Sequence, residues 1–431
     1  MSTKLIDPEQ DTVYTCMYRI GLLIFSVGSE NIQMDQSNVL SIEKMDNCEY
    51  NLRSIIKLSL QLDTRQKAWI MKNKSNITCK FELDKFGMDT DMEKEIVGDQ
   101  IVWNTEFAVF LNDDDANADA QSMEESLASN EGDEFQANNI KEQGYFTGQD
   151  TFDVYLYNNE LIKASKFNIN QVGSSGLLQT AVNSILSQSG HKNVLMSTIE
   201  NTEVKNELLV PSNPAYKALV YLDQYYGLYK RGASIFYDYD CLYIINPNGK
   251  ETATRDGEWP ETHFLVSTKS ESSPGNGMVM KPNQQVYYAN IPEESIQPQN
   301  LSESKSAQYG STIQMVTTDD VKVENTPTND SNDSSNKYKA FQNSSDNQFA
   351  TDTIKARMEE NDAIMYITAD NLDINAFTIN KMFCITYEDQ AKHDRYSKNR
   401  YRIAYATHRM VQQSTYMKSS HQIALKKCSE D

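Results

Sequence analysis

The stretch ELLVPSNPAYKALVYLDQYYGLYKRGASIFYDYDCLYIIN, residues 207–246, decides the fold of this chain. A helix is predicted over 215–226, and its largely apolar sequence indicates burial on more than one side. Asn213 is a good N-cap residue, and Pro214 suits the first helical position, where no backbone N–H needs a partner. Gly227 supplies the left-handed residue that ends the helix. The stretch therefore begins with a well-delimited helix.

Two short strands follow this helix. Residues 234–239 and 242–245 are rich in Ile, Phe and Tyr, as strands are. A turn at 230–232 precedes them, and the turn sequence Asn-Pro-Asn-Gly at 246–249 follows them. No catalytic residue set occurs in this helix and hairpin, so we interpret the stretch as scaffold.

The sequences YLDQYYGLYKRG (221–232) and SIFYDYDCLYIIN (234–246) resemble those of the baseplate hub proteins of contractile-tailed bacteriophages. A predicted helix at 174–190 and a strand set around NRYRIAYATHRM (399–410) fit the same family. The likeness covers roughly 150–250 and 370–428.

This resemblance implies a structural role in the virion. The family's hubs are ring-forming trimers that join the tail tube to the central spike and leave a channel for DNA. Each subunit offers two similar β-rich, tube-type domains, so three subunits match a six-fold tube and a three-fold spike. The implied partners are two further copies of the chain, a tail tube protein, a central spike protein and other baseplate proteins.

The composition fits a large acidic protein. The chain has 431 residues, enough for two to four domains, and a formal net charge of −21. Such a surface is unsuited to sequence-specific nucleic-acid binding, which needs clustered Lys and Arg. The acidic surface could line a DNA channel without retaining DNA, or it could simply aid solubility.

Cysteine usage and the N-terminus indicate synthesis in a reducing cytoplasm. The cysteines have no CxxC pair, so neither a zinc site nor a disulfide framework is predicted. They are Cys16, Cys48, Cys79, Cys241, Cys384 and Cys428. The first residues lack a signal-peptide pattern, and the apolar run at 20–25 is far too short to span a membrane.

The predicted fold class is α+β and β-rich, with tube-type β domains, an inserted α/β domain and long polar loops. Alternating apolar residues indicate strands at 52–62, 77–83 and 101–111, with a short helix around 64–73. We predict five segments in all. They are an N-terminal β domain (1–112), an acidic linker (113–143), an α/β domain (144–266), a Ser/Asn-rich insertion (267–350) and C-terminal strands that complete a second tube-type domain (351–431).

The acidic residues at 112–142 break the strand pattern, because few large apolar residues are present to offset the entropy of ordering. The run Asp113-Asp114-Asp115 lacks the spaced ligand layout of a calcium loop. We therefore predict a mobile linker here rather than a calcium site.

In the α/β domain, strands at 153–157 and 161–167 are predicted to flank a hairpin turn at Asn158-Asn159. The sequence Gly173-Ser174-Ser175-Gly176 is interpreted as a turn in which Ser175 caps the next helix. That helix has two apolar rows and ends at Gly190. The rows consist of Leu177, Ala181 and Ile185, and of Leu178, Val182 and Leu186.

In the last third, 325–348 has low complexity and is predicted to be disordered or a long surface excursion, cut first by protease. Strand-like pieces at 285–288 and 313–316 could join a neighbouring sheet. Further strands are predicted at 363–368, 376–380, 382–387, 400–405 and 417–425.

The sequence contains no catalytic, cofactor-binding or metal-binding motif of the common classes. A nucleophilic pair of Cys384 with His393 or His408, beside Asp394, can be drawn. However, His393 lies in a charged turn and His408 in a predicted strand. His191 follows a helix-ending glycine, where a solvated cap is the simpler interpretation.

Carboxylate pairs such as Asp238 with Asp240, or Glu258 with Glu261, arise by chance in a chain with 61 acidic residues. The tyrosines could form a sugar-binding platform, but a core or subunit interface is the favoured interpretation. They are Tyr221, Tyr225, Tyr226, Tyr229, Tyr237, Tyr239 and Tyr243. We therefore predict a non-enzymatic hub without cofactor. The alternatives are a carbohydrate-binding tail module and, third, a peptidoglycan-cleaving tail enzyme.

Overall fold

The structure is a computed structural model of the chain. It describes residues 12–47, 54–74, 76–89, 91–111, 151–230, 232–238, 241–246, 261–266, 277–281, 284–289, 312–317, 323–325, 337–342, 364–377, 381–387 and 399–428.

Twenty-two strands lie in the described residues. They are β1 (Thr15–Val27), β2 (Glu30–Gln33), β3 (Val39–Asn47), β4 (Ser54–Gln61), β5 (Thr78–Met88), β6 (Glu95–Leu111), β7 (Thr151–Asn158), β8 (Asn168–Leu177), β9 (Val194–Met196), β10 (Val204–Pro214), β11 (Ser234–Asp238), β12 (Cys241–Ile245), β13 (Glu261–Val266), β14 (Met278–Lys281), β15 (Gln284–Ala289), β16 (Thr312–Thr317), β17 (Val323–Asn325), β18 (Lys337–Gln342), β19 (Ile364–Asp370), β20 (Phe383–Tyr387), β21 (Arg400–Gln413) and β22 (Tyr416–Cys428).

The described helices are α1 (Thr64–Lys72), α2 (Asn159–Lys166), α3 (Leu178–Ser189) and α4 (Ala215–Tyr226). Short 3₁₀ turns occur at Gln36–Asn38 and Ile374–Phe377. None of these helices has the length and apolar sequence needed to cross a lipid bilayer. The β-rich α+β class predicted from the sequence is confirmed.

The first ring is a closed antiparallel barrel of eight strands in the order β21-β3-β4-β7-β6-β5-β1-β22, completed by the β21–β22 pair. Most of its strands come from the first 158 residues, but the closing hairpin lies at 400–428. Closure removes the open strand edges that would otherwise invite aggregation.

The second ring is built on the other end of the same hairpin. On one side of the hairpin, β21 pairs with β20, which is followed in the sheet by β13, β15 and β14. On the other side, β22 pairs with β19. The N–H of Cys16 donates to the carbonyl of Asn371 (2.8 Å), which joins the end of β19 to β1. Tyr14 and Met278 exchange two backbone hydrogen bonds, which join β1 to β14. Strands β1, β21 and β22 therefore belong to both rings.

The α/β unit is inserted between β7 and β13, both of which lie in the large sheet. It holds helices α2–α4, a two-stranded sheet formed by β8 and β10, and a three-stranded sheet in the order β11-β12-β9. The sheet that forms both rings contains strands from four of the five predicted segments. These segments are 1–112, 144–266, 267–350 and 351–431. The domain boundaries stated above stay predictions.

The hairpin β11–β12 lies between two hydrophobic cores and is buried on both faces. Phe236 and Tyr243 pack into the core of the two rings. Ile235 and Ile244, at alternate positions, pack into the core formed by the helices of the α/β unit. Since side chains alternate across a strand, the sequence SIFYD-x-x-CLYII can supply an apolar residue to both cores at almost every position. The scaffold interpretation of this stretch is consistent with that placement.

The period-two patterns locate the strands of the first ring correctly. Ile56, Leu58 and Leu60 are buried, whereas their neighbours in β4 are partly exposed. The helix predicted around 64–73 is α1, capped by Asp63. One position is wrong, because Ile101 is 62% exposed while Val102 and Trp103 are buried. The register shift between Leu83 and Asp84, opposite this point, breaks the alternation.

The hairpin predicted around Asn158-Asn159 is wrong, since residues 159–166 form helix α2. The Asn158 side chain accepts hydrogen bonds from the N–H groups of Glu160 (2.7 Å) and Leu161 (3.1 Å), so it acts as an N-cap. Leu161 and Ala164, three residues apart, are the buried residues of this helix.

The turn predicted at Gly173–Gly176 is also wrong. These residues lie in β8, which pairs with β10, and Ser175 does not cap α3, whose N-cap is Leu177. The body of α3 agrees with the prediction. Ala181, Val182 and Ile185 are buried, and Gly190 has the left-handed φ of 71°.

Helix α4 spans the predicted residues 215–226, but its N-cap lies one residue later than predicted. Pro214 is its N-cap, and no side chain caps it, because Asn213 lies in β10. Gly227 has φ 73° and ψ 110°, so its positive φ is as predicted while its ψ lies outside the left-handed helical region.

In the last third of the chain, the strand predicted at 376–380 is wrong in its described part, where the 3₁₀ turn Ile374–Phe377 lies. Strand β18 occupies 337–342 within the segment predicted to be disordered. The acidic stretch 112–142 and the residues Asp240, Glu258, His393 and Asp394 lie outside the described residues.

A buried polar junction beside the hairpin

A row of polar residues crosses three adjacent strands at the place where the two rings and the α/β unit meet. Lys44 of β3 lies opposite His408 of β21, and His408 lies opposite His421 of β22. These side chains are at most 4% exposed. Lys44 lies two residues after the buried Ile42 in β3, so both side chains are on the same face of the strand. This explains why the Lys44 side chain points into the protein. We call this row and its carboxylate partners the junction.

Two buried carboxylates surround the Lys44 ammonium. Asp46, two residues along β3, contacts Lys44 Nζ in a very short ion pair. Asp238, at the end of β11, places its Oδ1 at 3.3 Å from the same Nζ. Lys44 therefore connects the first ring to the hairpin of the α/β unit. Buried ions must be paired in this way because an isolated buried charge is very costly.

The histidines extend the junction toward the second ring. His408 Nε2 lies 3.6 Å from Asp46 Oδ2, and His408 Nδ1 lies 2.8 Å from His421 Nδ1. His421 Nε2 lies 2.9 Å from the hydroxyl of Ser419. The Phe377 ring packs against both imidazoles. The Nδ1–Nδ1 contact requires one proton between two nitrogens, so two imidazolium rings are incompatible with it.

The charge state of the junction follows from burial and proximity. Burial raises the pKa of Asp46, but the Lys44 charge and the neighbouring His408 outweigh it and hold that pKa below its ordinary value. Burial lowers the pKa of His408, with Asp46 partly opposing it. Burial and the neighbouring His408 lower the pKa of His421. At neutral pH Asp46 is therefore ionised and both imidazoles are neutral.

We expect these histidines to make stability fall in mild acid. Their folded-state pKa values lie below the unfolded value of about 6.5, so the unfolded chain takes up protons first and stability drops as pH falls through that value. Between pH 7.5 and 5.5 the free energy of unfolding, measured with urea, should fall by about 1–3 kcal/mol. The variant His408→Gln/His421→Gln should lose clearly less over the same range. Equal losses in both proteins would refute this explanation.

The helix of the α/β unit is tied to the hairpin by a separate set of buried polar groups. The Asp223 carboxylate accepts from the N–H groups of Leu228 (3.1 Å) and Ala233 (3.0 Å). The Asn201 amide donates to the carbonyl of Gly227 (2.8 Å). The Tyr229 hydroxyl donates to the carbonyl of Ser197 (2.8 Å). Asp223, Tyr229 and Asn201 thus satisfy buried backbone groups in the turn and in the segment beside it.

A third polar contact set joins the two rings near the 3₁₀ turn Ile374–Phe377. The Tyr18 hydroxyl donates to the carbonyl of Leu372 (2.6 Å) and accepts from the N–H of Ile374 (2.7 Å). Lys85 Nζ lies 2.6 Å from Asp373 Oδ2. These contacts hold the segment after β19 against β1 and β5. The polar interior of the molecule is thus concentrated where its parts meet.

The residues considered from sequence as catalytic are placed in structural positions. Asp238 is 6% exposed and paired with Lys44. Cys384 and His408 are each buried, and His408 contacts Asp46 and His421. His191 Nε2 lies 2.5 Å from the Tyr237 hydroxyl, so this residue is half-buried and not a solvated cap.

Of the described tyrosines in this set, four are buried, Tyr221 is partly buried and Tyr225 is exposed. Tyr226, Tyr229, Tyr237 and Tyr243 are at most 5% exposed, as the core interpretation predicts. Tyr221 and Tyr225, one turn apart on α4, stack with centroids 5.4 Å apart, and Tyr225 is 51% exposed. Tyr239 lies outside the described residues.

Sequence reasoning missed Lys44, Asp46 and His421 as members of the junction. The period-two pattern of β3 was a usable signal, because Ile42, Lys44 and Asp46 fall on the face that the strand buries. Among the described residues, no group of His, Cys, Asp and Glu side chains is arranged to hold a metal ion.

A known protein family matches almost the whole chain. A family model described as Bacteriophage PBS1 gene 109 protein matches residues 11–428. No curated protein matches the chain.

Solved structures that align with the chain do so with TM-scores below 0.5 and with little shared sequence. A tail protein from Neisseria meningitidis MC58 has TM-score 0.48 and 9% identity, with 96% of each chain covered. The PdpA-VgrG complex of Francisella, lidded, has TM-score 0.46 and 7% identity over 98% of this chain and 54% of that chain. The 43 kDa tail protein of prophage MuSo2 from Shewanella oneidensis has TM-score 0.43 and 8% identity, covering 93% and 96%.

Proposed function

The chain belongs to the family of the bacteriophage PBS1 gene 109 protein, and from this premise we propose that it is a structural hub of a phage tail baseplate. It would act in the virion as a trimeric ring that joins the tail tube to the central spike. The ring would leave a channel through which DNA passes. Other baseplate proteins would contact its outer surface.

The observation that supports this proposal most is the presence of two rings of strands in one chain, sharing β1, β21 and β22. Three such chains around an axis would present six rings, which is the number needed to meet a six-fold tube. Cyclic closure is also the usual way in which identical subunits assemble. The net charge of −21 suits a channel wall that does not retain phosphate.

We further propose that the protein is not an enzyme. Asp238, one of the carboxylates considered from sequence for glycosidase chemistry, is paired with Lys44 and shielded from solvent. A general acid or nucleophile must reach its substrate. The junction instead has the features of an internal tie, because its members are buried and come from three parts of the fold.

The rival function, carbohydrate binding through the Tyr-rich hairpin, is disfavoured because Tyr237 and Tyr243 are each only 1% exposed. Tyr225, which stacks on the partly buried Tyr221, is the exposed aromatic side chain in that stretch among the described residues. Aromatic residues of this kind are equally suited to a contact with another protein.

The native mass of the purified protein, measured by light scattering across a concentration series, tests the proposal. The chain mass is 49.1 kDa, so we expect a species near three times that value. A hexamer would contradict the trimeric hub and indicate a tube-like component. A monomer at every concentration would show that the chain does not form a ring by itself, and would favour the binding module.

A further inference from the structure

A lysine-lined cleft lies on the outside of the first ring, where helix α2 crosses the adjoining ends of β5 and β6. Its volume is about 620 Å³. Lys74, after α1, lies on one side, and Lys163 and Lys166 of α2 lie on the other. All three side chains are exposed. A cleft of this size can enclose several residues of an extended peptide.

The cleft is positively charged, whereas the chain as a whole is negatively charged. No acidic residue is among the described residues that line it, although the chain carries a net charge of −21. Lys163 has an exposed ion pair with Glu160 at 2.9 Å. Neither Lys74 nor Lys166 has an ionic partner in the part of the chain that the structure describes. Three ammonium groups around one cavity favour an anionic occupant.

The floor of the cleft is apolar. Ile77 is buried beneath it, Phe110 is 43% exposed and packs edge-on against Tyr157, and Leu111 lies at the end of β6. A combination of apolar floor and cationic rim suits a polypeptide that carries carboxylates beside small apolar side chains.

Such a polypeptide begins directly at the cleft. Residues 113–134 read DDDANADAQSMEESLASNEGDE, with nine acidic residues and no Lys or Arg. Leu111 lines the cleft, and a single residue separates it from this segment in the sequence. The chain returns to the same neighbourhood, because Val154 of β7 pairs with Leu111.

We propose that this cleft binds the acidic segment 113–134 of its own chain, with carboxylates of that segment paired to Lys74, Lys163 and Lys166. Each exposed ion pair contributes little by itself. Covalent tethering at Leu111 compensates, because it raises the effective concentration of the segment to the millimolar range. The interaction is therefore strong within one chain, weak between chains, and sensitive to salt.

Zero-length crosslinking of the full-length protein with a carbodiimide, followed by mass spectrometry, tests the proposal. We expect crosslinks from the three cleft lysines to 113–134 to exceed those from Lys72, an exposed lysine at the end of α1, by roughly tenfold, because the tethered segment is held against the cleft and not against Lys72. They should disappear at about 1 M salt, where the Debye length is about 3 Å. The Lys57–Asp153 pair, at 2.6 Å, is an internal positive control for the reagent.

Two variants and an isotope mixture make the result decisive. Lys74→Gln/Lys166→Gln should remove most of the crosslinks, whereas Lys72→Gln should leave them unchanged. In a mixture of ¹⁵N-labelled and unlabelled protein, the crosslinked peptides should carry a single isotope. Mixed-isotope crosslinks would instead assign the occupant to a second copy. Absent cleft crosslinks, or equal crosslinking by Lys72, would overturn the proposal.

Discussion

Replacing Lys44 with methionine is expected to lower the free energy of unfolding by about 3–5 kcal/mol. The methionine keeps most of the volume of the side chain but removes the ammonium that pairs with Asp46 and Asp238. Both carboxylates would then be buried at one place without the cation that balances them. Removing one partner of a buried ion pair costs far more than the pair itself contributes.

The matched control is Lys57→Met on the neighbouring strand β4. Lys57 also pairs with an aspartate, Asp153, but both side chains are about a quarter exposed (28% and 26%). Its replacement should cost about 1 kcal/mol or less. Urea unfolding of the two variants measures the difference. Equal costs would contradict the assignment of Lys44 to a desolvated junction.

The penalty of Lys44→Met should also depend on pH. Without the ammonium, burial raises the pKa of Asp46 above its unfolded value. The destabilisation caused by the buried Asp46 charge is therefore greatest at neutral pH and shrinks as acid neutralises the carboxylate. The wild-type protein behaves in the opposite sense, because its folded-state pKa of Asp46 is lowered. The stability difference between the two proteins should therefore narrow between about pH 7 and pH 4.

Placing a charge in helix α3 with Ala181→Asp is expected to destabilise the protein by several kcal/mol. Ala181 is 7% exposed and lies in the core of the α/β unit, beside Val182 and Ile185. None of the residues that form that core cluster carries a positive charge. Because the same core holds one face of the hairpin β11–β12, the damage should extend to the rings and prevent assembly.

Asn183→Asp on the same helix is the control, since Asn183 is exposed and the change adds the same charge. It should alter the melting temperature only slightly, as surface changes generally do. Thermal unfolding and native mass would be measured for both variants. An Ala181→Asp protein with normal stability and normal assembly would show that this core is assigned incorrectly.

Local sequence was sufficient to predict helix α4 and the hairpin β11–β12. Gly227 and the turn residues delimit them, and their apolar content leaves no alternative to burial. Strands with a clean alternation, such as β4, were equally predictable. These elements depend on period and on turn chemistry, both of which are visible within about ten residues.

Elements whose local signals fit two structures were not predictable. Asn158-Asn159 suits a hairpin turn, but a single asparagine also suits an N-cap, and the buried pair Leu161 and Ala164 is compatible with a helix. In Gly173–Gly176 the turn-forming residues lie in a strand because β10 pairs with them. In both cases tertiary packing selected between local alternatives.

The junction depended on strand register, which no local pattern contains. Lys44 and Asp46 could have been recognised as inward-facing polar residues from the pattern of β3 alone. Their pairing with Asp238 and His408 could not, because it requires the pairing of β3 with β21 and the docking of β11 against the ring. In the sequence, Asp238 lies nearly 200 positions after Lys44, and His408 lies more than 360 positions after it.

The hairpin shared by the two rings has a consequence for the order of events during biosynthesis. Strands β1 and β3–β7 leave the ribosome long before β21 and β22, yet neither ring closes until that hairpin arrives. Until then, β1 and β3 each expose an edge to which another nascent chain can add. Such late, long-range closure makes maturation slow and dependent on protection by chaperones.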